Sequence, residues 1–206
     1  MMQVECLAVG AMASNCYLVC CEDTKEAMVI DPGAEGKRIL DEVDKKGLTV
    51  KYIVNTHGHM DHIAANTMIK EATDAKLAIH VEDLPLLSDP KLNLSQYMGR
   101  QYSSPKADLF LCDGEELTVG KDVLSVLHTP GHTRGGISLK GTGVIFVGDT
   151  LFAGSVGRTD FPGGSYAELI ASIKNKILPC GDEFIVYPGH GPATTVGSER
   201  ANNPFL

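Results

Sequence analysis

Four residues of the kinds that bind metal ions lie close together in THGHMDH at 56–62, directly after the apolar run YIVN. Side chains alternate along an extended segment, so His57 and His59 project to the same side and can share one metal ion. Asp61 and His62 stand where the chain enters a predicted helix and point in different directions, which suits a second ion. A solvated polar loop is the alternative, and the density of ligand-type residues disfavours it. Two imidazoles with a carboxylate favour zinc, iron or manganese over calcium or magnesium.

Three further ligand-type residues each follow an apolar run and come directly after a glycine. His132 lies in TPGHT, Asp149 ends VIFVGD, and His190 ends FIVYPGH. Loops at strand ends carry a large share of binding and catalytic residues. We therefore expect these side chains to meet those of 56–62 at one edge of the fold, where they complete a site for metal ions.

The order of apolar runs and helical patterns predicts two similar halves, each with short strands followed by a helix. Residues 37–46 and 165–178 have one apolar face at helical spacing, and a further helix is predicted over about 61–72. The proline-rich segment 81–113 is predicted to be mostly loop with some helix. Two sheets, each covered by helices on its outer face, give an α/β (α+β) fold, a four-layer αβ/βα sandwich, in a single domain over 1–206. The predicted strands cover residues 4–9, 15–20, 27–30, 52–55, 76–80, 116–119, 123–128, 136–139, 144–148 and 184–187.

Composition excludes some classes of protein. Apolar residues make up 43% of the chain and charged residues 21%, which is typical of a globular protein. No apolar stretch is long enough for a membrane helix, and the N-terminus lacks the basic region of a signal peptide, so we expect a cytoplasmic protein without a membrane partner. The net charge of −8 and the lack of a basic stripe argue against a nucleic-acid partner and favour a small-molecule substrate. The oligomeric state stays open.

With these motifs in view, the chain resembles the metallo-β-lactamase superfamily, and within it the glyoxalase II branch, the hydroxyacylglutathione hydrolases. The resemblance extends over nearly the whole chain and rests on THGHMDH, TPGHT, GDTLF at 148–152 and PGHG at 188–191, with IDPG at 30–33 and the closing NPFL. It implies two divalent metal ions per chain. Zinc is the preferred metal, with iron or manganese as alternatives. The implied ligands are His57, His59 and His132 for the first ion, Asp61, His62 and His190 for the second, and Asp149 as the bridge between them.

The resemblance also implies an activity, the hydrolysis of a small thioester such as S-lactoylglutathione. Two ions that share a water would provide a metal-bridging hydroxide as the nucleophile. Asp61 is then a catalytic residue as well, since it can orient that water or accept its proton. The thiolate leaving group needs little help from an acid.

Two features of the chain differ from the classical glyoxalase II enzymes. In both, the chain resembles the short, single-domain proteins of this branch. We expect no C-terminal glutathione-binding helical domain, and the loop at 153–164 differs in sequence. In this loop Arg158 is the candidate for binding a substrate carboxylate, with an ion pair to Asp160 as the alternative. Further candidates for lining the pocket are Tyr97, Arg100 and Tyr102.

Other functions are also compatible with this ligand set. GRTDF at 157–161 resembles a stretch of the mononuclear iron persulfide dioxygenases, and a metal-dependent nuclease, a lactonase or a metal-bound fold without catalysis are further alternatives. Asp149 in place of a cysteine disfavours the commonest zinc β-lactamases, and His190 with the compact chain disfavours the RNA-processing branch. We interpret His80 and His128, which lie within strand-like runs, as hydrogen-bonded structural histidines, with support of a metal ligand as the alternative.

Overall fold

The computed structural model describes residues 2–206, whose strands form two six-stranded sheets and a small hairpin. The first half of the chain forms the first sheet. Its first three strands pair antiparallel through short turns, whereas the next three are parallel, because helices connect most of them. In spatial order the strands are β1 (Met2–Val9), β2 (Ser14–Cys21), β3 (Glu26–Ile30), β4 (Thr49–Val54), β5 (Lys76–His80) and β6 (Leu109–Leu111).

The second half of the chain forms the second sheet, in which four strands follow one another antiparallel and β10 pairs parallel with β13. In chain order its strands are β7 (Glu116–Val119), β8 (Asp122–His128), β9 (Ile137–Lys140), β10 (Val144–Gly148), β13 (Ile185–Pro188) and β14 (Thr194–Thr195). The hairpin consists of β11 (Leu151–Phe152) and β12 (Ser155–Val156).

The alternation of side chains along β2 explains the layers. Tyr17 and Val19 pack into the core between the two sheets, and Cys16 and Leu18 pack on the opposite face, under the helices of the first half. Both faces of this strand are covered, so all eight of its residues are buried. Phe146 of the second sheet joins the core between the sheets, and its neighbours Ile145 and Val147 pack outward on helices. The predicted four-layer αβ/βα sandwich is confirmed.

Residues 2–206 contain six α-helices: α1 (Gly36–Lys45), α2 (Met60–Ile63), α3 (Asn66–Thr73), α4 (Leu84–Ser88), α5 (Tyr166–Ser172) and α6 (Val196–Asn202). Of these, α1, α3, α5 and α6 pack on the outer faces of the sheets. The helix predicted over 165–178 continues beyond α5 as a π-turn at Ile173–Ile177 and a 3₁₀ turn at Leu178–Cys180.

The prediction of a single helix over 61–72 is wrong, because the chain forms α2 and α3 with a break between them. Carbonyls at the end of α2 accept hydrogen bonds from side chains instead of from the next helical turn. The Asn55 amide donates to the carbonyl of His62 at 3.1 Å, and the Tyr102 hydroxyl donates to that of Ile63 at 2.8 Å. The Ala65 N–H donates instead to the carbonyl of Pro32, at 2.8 Å.

Segment 81–113 contains more structure than its sequence pattern predicts. Helix α4 and 3₁₀ turns at Val81–Asp83 and Ser95–Met98 account for the predicted helical part. Strand β6 was not predicted, because three residues are too few for an alternating pattern, and it forms by pairing parallel with β5. No helix among the residues described is long and apolar enough to cross a membrane.

Candidate metal centre

Hydrogen bonds between the two sheets bring the four ligand-bearing loops to one edge. The Asn15 N–H donates to the carbonyl of Gly189 at 2.7 Å, and the Tyr17 hydroxyl donates to that of Pro188 at 2.6 Å. The Ile137 N–H donates to the carbonyl of Thr56 at 2.9 Å. The loops that follow β4, β8, β10 and β13 are thereby fixed against one another.

His57, His59 and His132 form the first group of converging side chains. One ring nitrogen from each lies within 4.8 Å of the other two. His59 Nδ1 lies 2.9 Å from His132 Nε2. All three residues are at most 4% exposed. This is the set that the resemblance assigns to the first metal ion, and three buried imidazoles at this spacing suit a transition metal.

Asp61, His62 and His190 form the second group, directly beside the first. Asp61 Oδ2 lies 3.1 Å from His190 Nε2 and 3.3 Å from His62 Nε2. Asp149 stands between the two groups. Its Oδ1 is 3.5 Å from His62 Nε2, and its Oδ2 is 3.6 Å from His132 Nε2. The structure thus brings together the side chains of all seven residues predicted as ligands, with Asp149 between the two groups.

Most of the histidines have one ring nitrogen held by the protein and the other facing the centre. His132 Nδ1 lies 2.7 Å from the carbonyl of Arg158, and His190 Nδ1 lies 3.2 Å from that of Met12. His62 Nδ1 lies 3.1 Å from Asp31 Oδ2. A proton on Nδ1 satisfies each of these contacts and leaves Nε2 as a neutral ligand, which is the usual arrangement around a protein-bound metal.

Three buried atoms at the centre lack a hydrogen-bond partner among the described residues, namely His57 Nε2, His62 Nε2 and Asp149 Oδ1. Unpartnered buried polar atoms are costly unless something binds them. Gly189 keeps the space between them open, since a Cβ at this position would lie 2.2 Å from Asp149 Oδ1. Nitrogen and carboxylate donors in this arrangement fit divalent metal ions.

The electrostatics differ between the two groups. Burial and the neighbouring histidines lower the pKa of His57 and of His59, which favours neutral rings. Burial opposes protonation of His62, but the nearby carboxylates, Asp61 foremost, outweigh it and raise its pKa. Burial also opposes ionisation of Asp61, but His62 and His190 more than offset it, so the pKa of Asp61 lies well below its usual range. The second group therefore holds a carboxylate that stays ionised.

Three residues that contact the ligands or their loops were not predicted. Asp31 accepts hydrogen bonds from the Thr56 N–H and hydroxyl at 2.7 and 2.6 Å, in addition to its contact with His62. The Ser14 hydroxyl donates to Asp61 Oδ2 at 2.9 Å. Asp83 links two ligand loops and is fully buried. The motif IDPG at 30–33 could have pointed to Asp31. Ser14 and Asp83 lie in no motif, so the sequence contained no signal for them.

A cavity of about 660 Å³ opens onto the centre, and its walls include Tyr97, Arg158 and Phe161. The Arg158 guanidinium pairs with Asp160 through two contacts of 2.7 Å and stacks on Phe161 at 3.9 Å, so the alternative interpretation of Arg158 as an ion-pair partner is confirmed. The prediction that Tyr102 lines the pocket is wrong, because its ring packs beside helix α2 in an apolar cluster.

His80 and His128 lie outside the centre and make hydrogen bonds, as predicted. His80 Nδ1 accepts from the Glu82 N–H at 3.3 Å, and His128 Nε2 lies 2.8 Å from the carbonyl of Arg134. Their rings stack at 4.1 Å.

Comparison with known proteins agrees with the geometry. A relative from Haemophilus influenzae, named hydroxyacylglutathione hydrolase GloC, is 38% identical over 100% of this chain and 98% of its own length. The structure of the BLEG-1 B3 metallo-β-lactamase is 38% identical, covers 99% of each chain and has a TM-score of 0.95. The protein TTHA1623, solved in a di-iron-bound form, is 37% identical over 98% of this chain and 100% of its own, with a TM-score of 0.85.

The two solved structures share the fold of this chain. A family model described as the metallo-β-lactamase superfamily matches residues 9–190, which span every residue of the two histidine- and aspartate-containing groups. With the sandwich of two sheets and the convergent ligand set on its edge, the chain belongs to the metallo-β-lactamase superfamily.

Proposed function

We propose that the protein is a dinuclear metal-dependent hydrolase of small thioesters, with S-lactoylglutathione as the representative substrate. The observation that carries this proposal is the position of Asp149, whose two carboxylate oxygens face ligand atoms of both groups at the floor of one open cavity. The name of the relative from Haemophilus influenzae supports the same substrate class.

The seven converging side chains would hold two divalent ions. Zinc is the preferred metal, with iron or manganese as alternatives. The di-iron form of TTHA1623 supports a pair of ions and keeps iron among the alternatives. When bound, such ions supply Lewis acidity and lower the pKa of a shared water toward neutrality. The ligands are His57, His59 and His132 for one ion, Asp61, His62 and His190 for the other, with Asp149 between them.

The protein's own groups orient the reactants. Asp61 stays ionised, and its Oδ2 accepts a hydrogen bond from the Ser14 hydroxyl, so this carboxylate is fixed in one orientation. Fixed in this way, it can accept a hydrogen bond from the attacking water and hold that water toward the thioester carbonyl. The leaving thiol has a pKa of about 8.5, so its thiolate departs readily and the reaction needs no dedicated acid.

The cavity above the centre suits a small substrate. Its volume of about 660 Å³ lies in the range typical of small-molecule sites, and Leu94, Phe152 and Val156 give it apolar walls. Arg158 stands at the same cavity and would bind a carboxylate of the substrate through Nη1, which makes no hydrogen bond to Asp160. With a net charge of −8, we propose a small-molecule partner and no nucleic acid.

The experiment that tests this function measures metal content and hydrolysis of S-lactoylglutathione on the same purified sample. We expect about two ions per chain and turnover that stops on chelation, as a dinuclear hydrolase requires. The variants His59→Ala and Asp149→Ala remove one ligand of the first group and the bridge, and both should lose turnover. A wild-type protein that holds two ions and leaves the thioester intact contradicts the proposed substrate class.

β-Lactam hydrolysis is a second candidate, because the BLEG-1 structure superposes with a TM-score of 0.95. A chromogenic cephalosporin assayed on the same sample tests it. Persulfide oxidation is distinguished by oxygen uptake, which hydrolysis of either substrate does not require.

A further inference from the structure

A second cavity of about 620 Å³ lies beside the one over the metal centre. The two cavities share four lining residues, Met12, Met60, Asp61 and Met98. The two cavities are therefore neighbours, with Asp61 at both.

The unpaired charges of the second cavity are positive. Its lining contains two acidic side chains, and both have partners: Asp61 contacts His62 and His190, and Glu35 pairs with Arg38 at 2.8 Å. Glu35 also accepts from the Gly10 N–H at 2.8 Å. Lys37 and Arg100 line the same cavity, and their charged groups make no ion pair or hydrogen bond within residues 2–206.

Lys37 and Arg100 place two unpaired cations in one cavity of a chain with net charge −8. About half of the other exposed cations are paired with a carboxylate, as Lys45 is with Glu42 and Lys121 with Asp23. The positive charge of Lys37 and Arg100 is thus available to a ligand, and an arginine can bind a carboxylate through two parallel hydrogen bonds.

Small residues form part of the lining of the second cavity, among them Gly33, Ala34 and Ala65. At its rim Met12, Met68 and Met98 are 48–49% exposed, and methionine side chains adapt to different ligands.

We propose that the second cavity is a subsite for the carrier half of the substrate, in which Lys37 and Arg100 bind a carboxylate of the thiol. The substrate class is then a thioester whose carrier thiol is acidic. Glutathione fits this description, because a carboxylate-bearing arm extends from each side of its cysteine, one toward Lys37 and Arg100 and the other toward Arg158. This inference rests on the proposed thioesterase function, and its tests separate the two.

The first test measures binding without turnover. S-methylglutathione, a thioether that cannot be hydrolysed, is titrated calorimetrically into the wild-type protein, into the double variant Lys37→Gln/Arg100→Gln, and into Lys45→Gln as a control at the far end of the same helix. We expect at least tenfold weaker binding by the double variant and wild-type affinity in the control. Equal affinity of all three proteins, or no binding by the wild type, overturns the subsite.

The second test compares two lactoyl thioesters, one of glutathione and one of the uncharged thiol N-acetylcysteamine. The double variant should raise the KM for the glutathione thioester at least tenfold, with kcat within twofold, and leave the KM for the uncharged thioester unchanged. Added salt should raise the KM of the wild type for the glutathione thioester only, since it screens exposed charges. A KM that rises equally for both thioesters overturns the subsite. If S-methylglutathione binds as expected but neither thioester is hydrolysed, the subsite stands and the thioesterase function is rejected.

Discussion

Oδ2 of Asp31 lies 3.1 Å from Nδ1 of His62, and both side chains are buried. This contact sets which nitrogen of His62 faces the centre. The same carboxylate accepts hydrogen bonds from Thr56, the first residue of the ligand loop, so one side chain positions both ends of THGHMDH.

Replacing Asp31 with asparagine should therefore weaken metal binding. Asparagine keeps the size of the side chain and tolerates the φ of 51° at this position, but removes the charge that supports His62. We expect a roughly 10- to 100-fold loss of zinc affinity, as is usual for residues that support a ligand. Competition with a chromophoric chelator measures the loss. Asp41→Asn, on the exposed face of α1, is the matched control, and equal affinity of both variants contradicts the assigned role.

Asp83 should contribute to stability, because it joins two ligand loops. Its Oδ2 accepts from the Gly58 N–H at 3.0 Å and the Thr133 hydroxyl at 2.8 Å, and its Oδ1 accepts from the Gly135 N–H at 2.7 Å. Asparagine offers only one oxygen, so Asp83→Asn leaves at least one buried donor unpaired. We expect the free energy of unfolding to fall by about 2–4 kcal/mol in urea titrations.

Thr133→Val provides the comparison for Asp83, because it removes only one of the three hydrogen bonds and keeps the shape of the side chain. Its loss of stability should be smaller than that of Asp83→Asn. An Asp83→Asn protein as stable as the wild type would show that these contacts do not hold the loops.

Removal of the metal ions should lower thermal stability. A ligand at about 1,000 times its dissociation constant stabilises the folded state by about 4 kcal/mol, which corresponds to a shift of roughly 10 °C for a chain of this size. Chelation should therefore lower the Tm by about that amount, and added zinc should restore it. His59→Gln should show a smaller shift, whereas His80→Gln, outside the centre, should respond like the wild type. A wild-type Tm that does not change when the chelator is added contradicts a metal site.

Zinc affinity should fall as the pH decreases below neutral. The carboxylates around His62 and His190 outweigh burial and raise the pKa of both histidines, so each keeps its proton at a higher pH than a free histidine. Binding must displace these protons, because only a neutral imidazole is a ligand. Asp61, whose pKa is lowered, does not compete for protons in this range.

We accordingly expect affinity to drop by tenfold or more for each pH unit between 7 and 5.5, with release of about two protons per chain on binding. Calorimetry in buffers of different ionisation enthalpy measures that number. An affinity that does not change over this range would refute the argument.

Arg158 and Asp160 should respond differently to substitution if Arg158 binds substrate. Their ion pair is exposed, so it contributes little to stability. Arg158→Ala should raise the KM for S-lactoylglutathione about tenfold with kcat within threefold, an effect in the range of one charge-assisted contact. Asp160→Asn should leave the KM within threefold of the wild type. If both variants raise it equally, the ion pair acts by shaping the loop.

The sequence by itself predicted which side chains converge and the order of the layers. THGHMDH, with ligand-type residues after three later strands, predicted all seven side chains that converge, because ligand chemistry and strand ends are both local properties of the chain. The alternation of apolar residues in each half likewise predicted two sheets with helices outside, since a side-chain period of two marks a strand wherever it lies.

Only the tertiary structure decided what surrounds that centre. The break between α2 and α3 depends on Asn55 and Tyr102, and the roles of Asp31 and Asp83 depend on loops distant in sequence. The tertiary structure also places Lys37 and Arg100 in one cavity. The residues that form these hydrogen bonds and this cavity lie 25 to 63 positions apart in the sequence. Such contacts leave no periodic pattern in either segment, because each contact needs both segments.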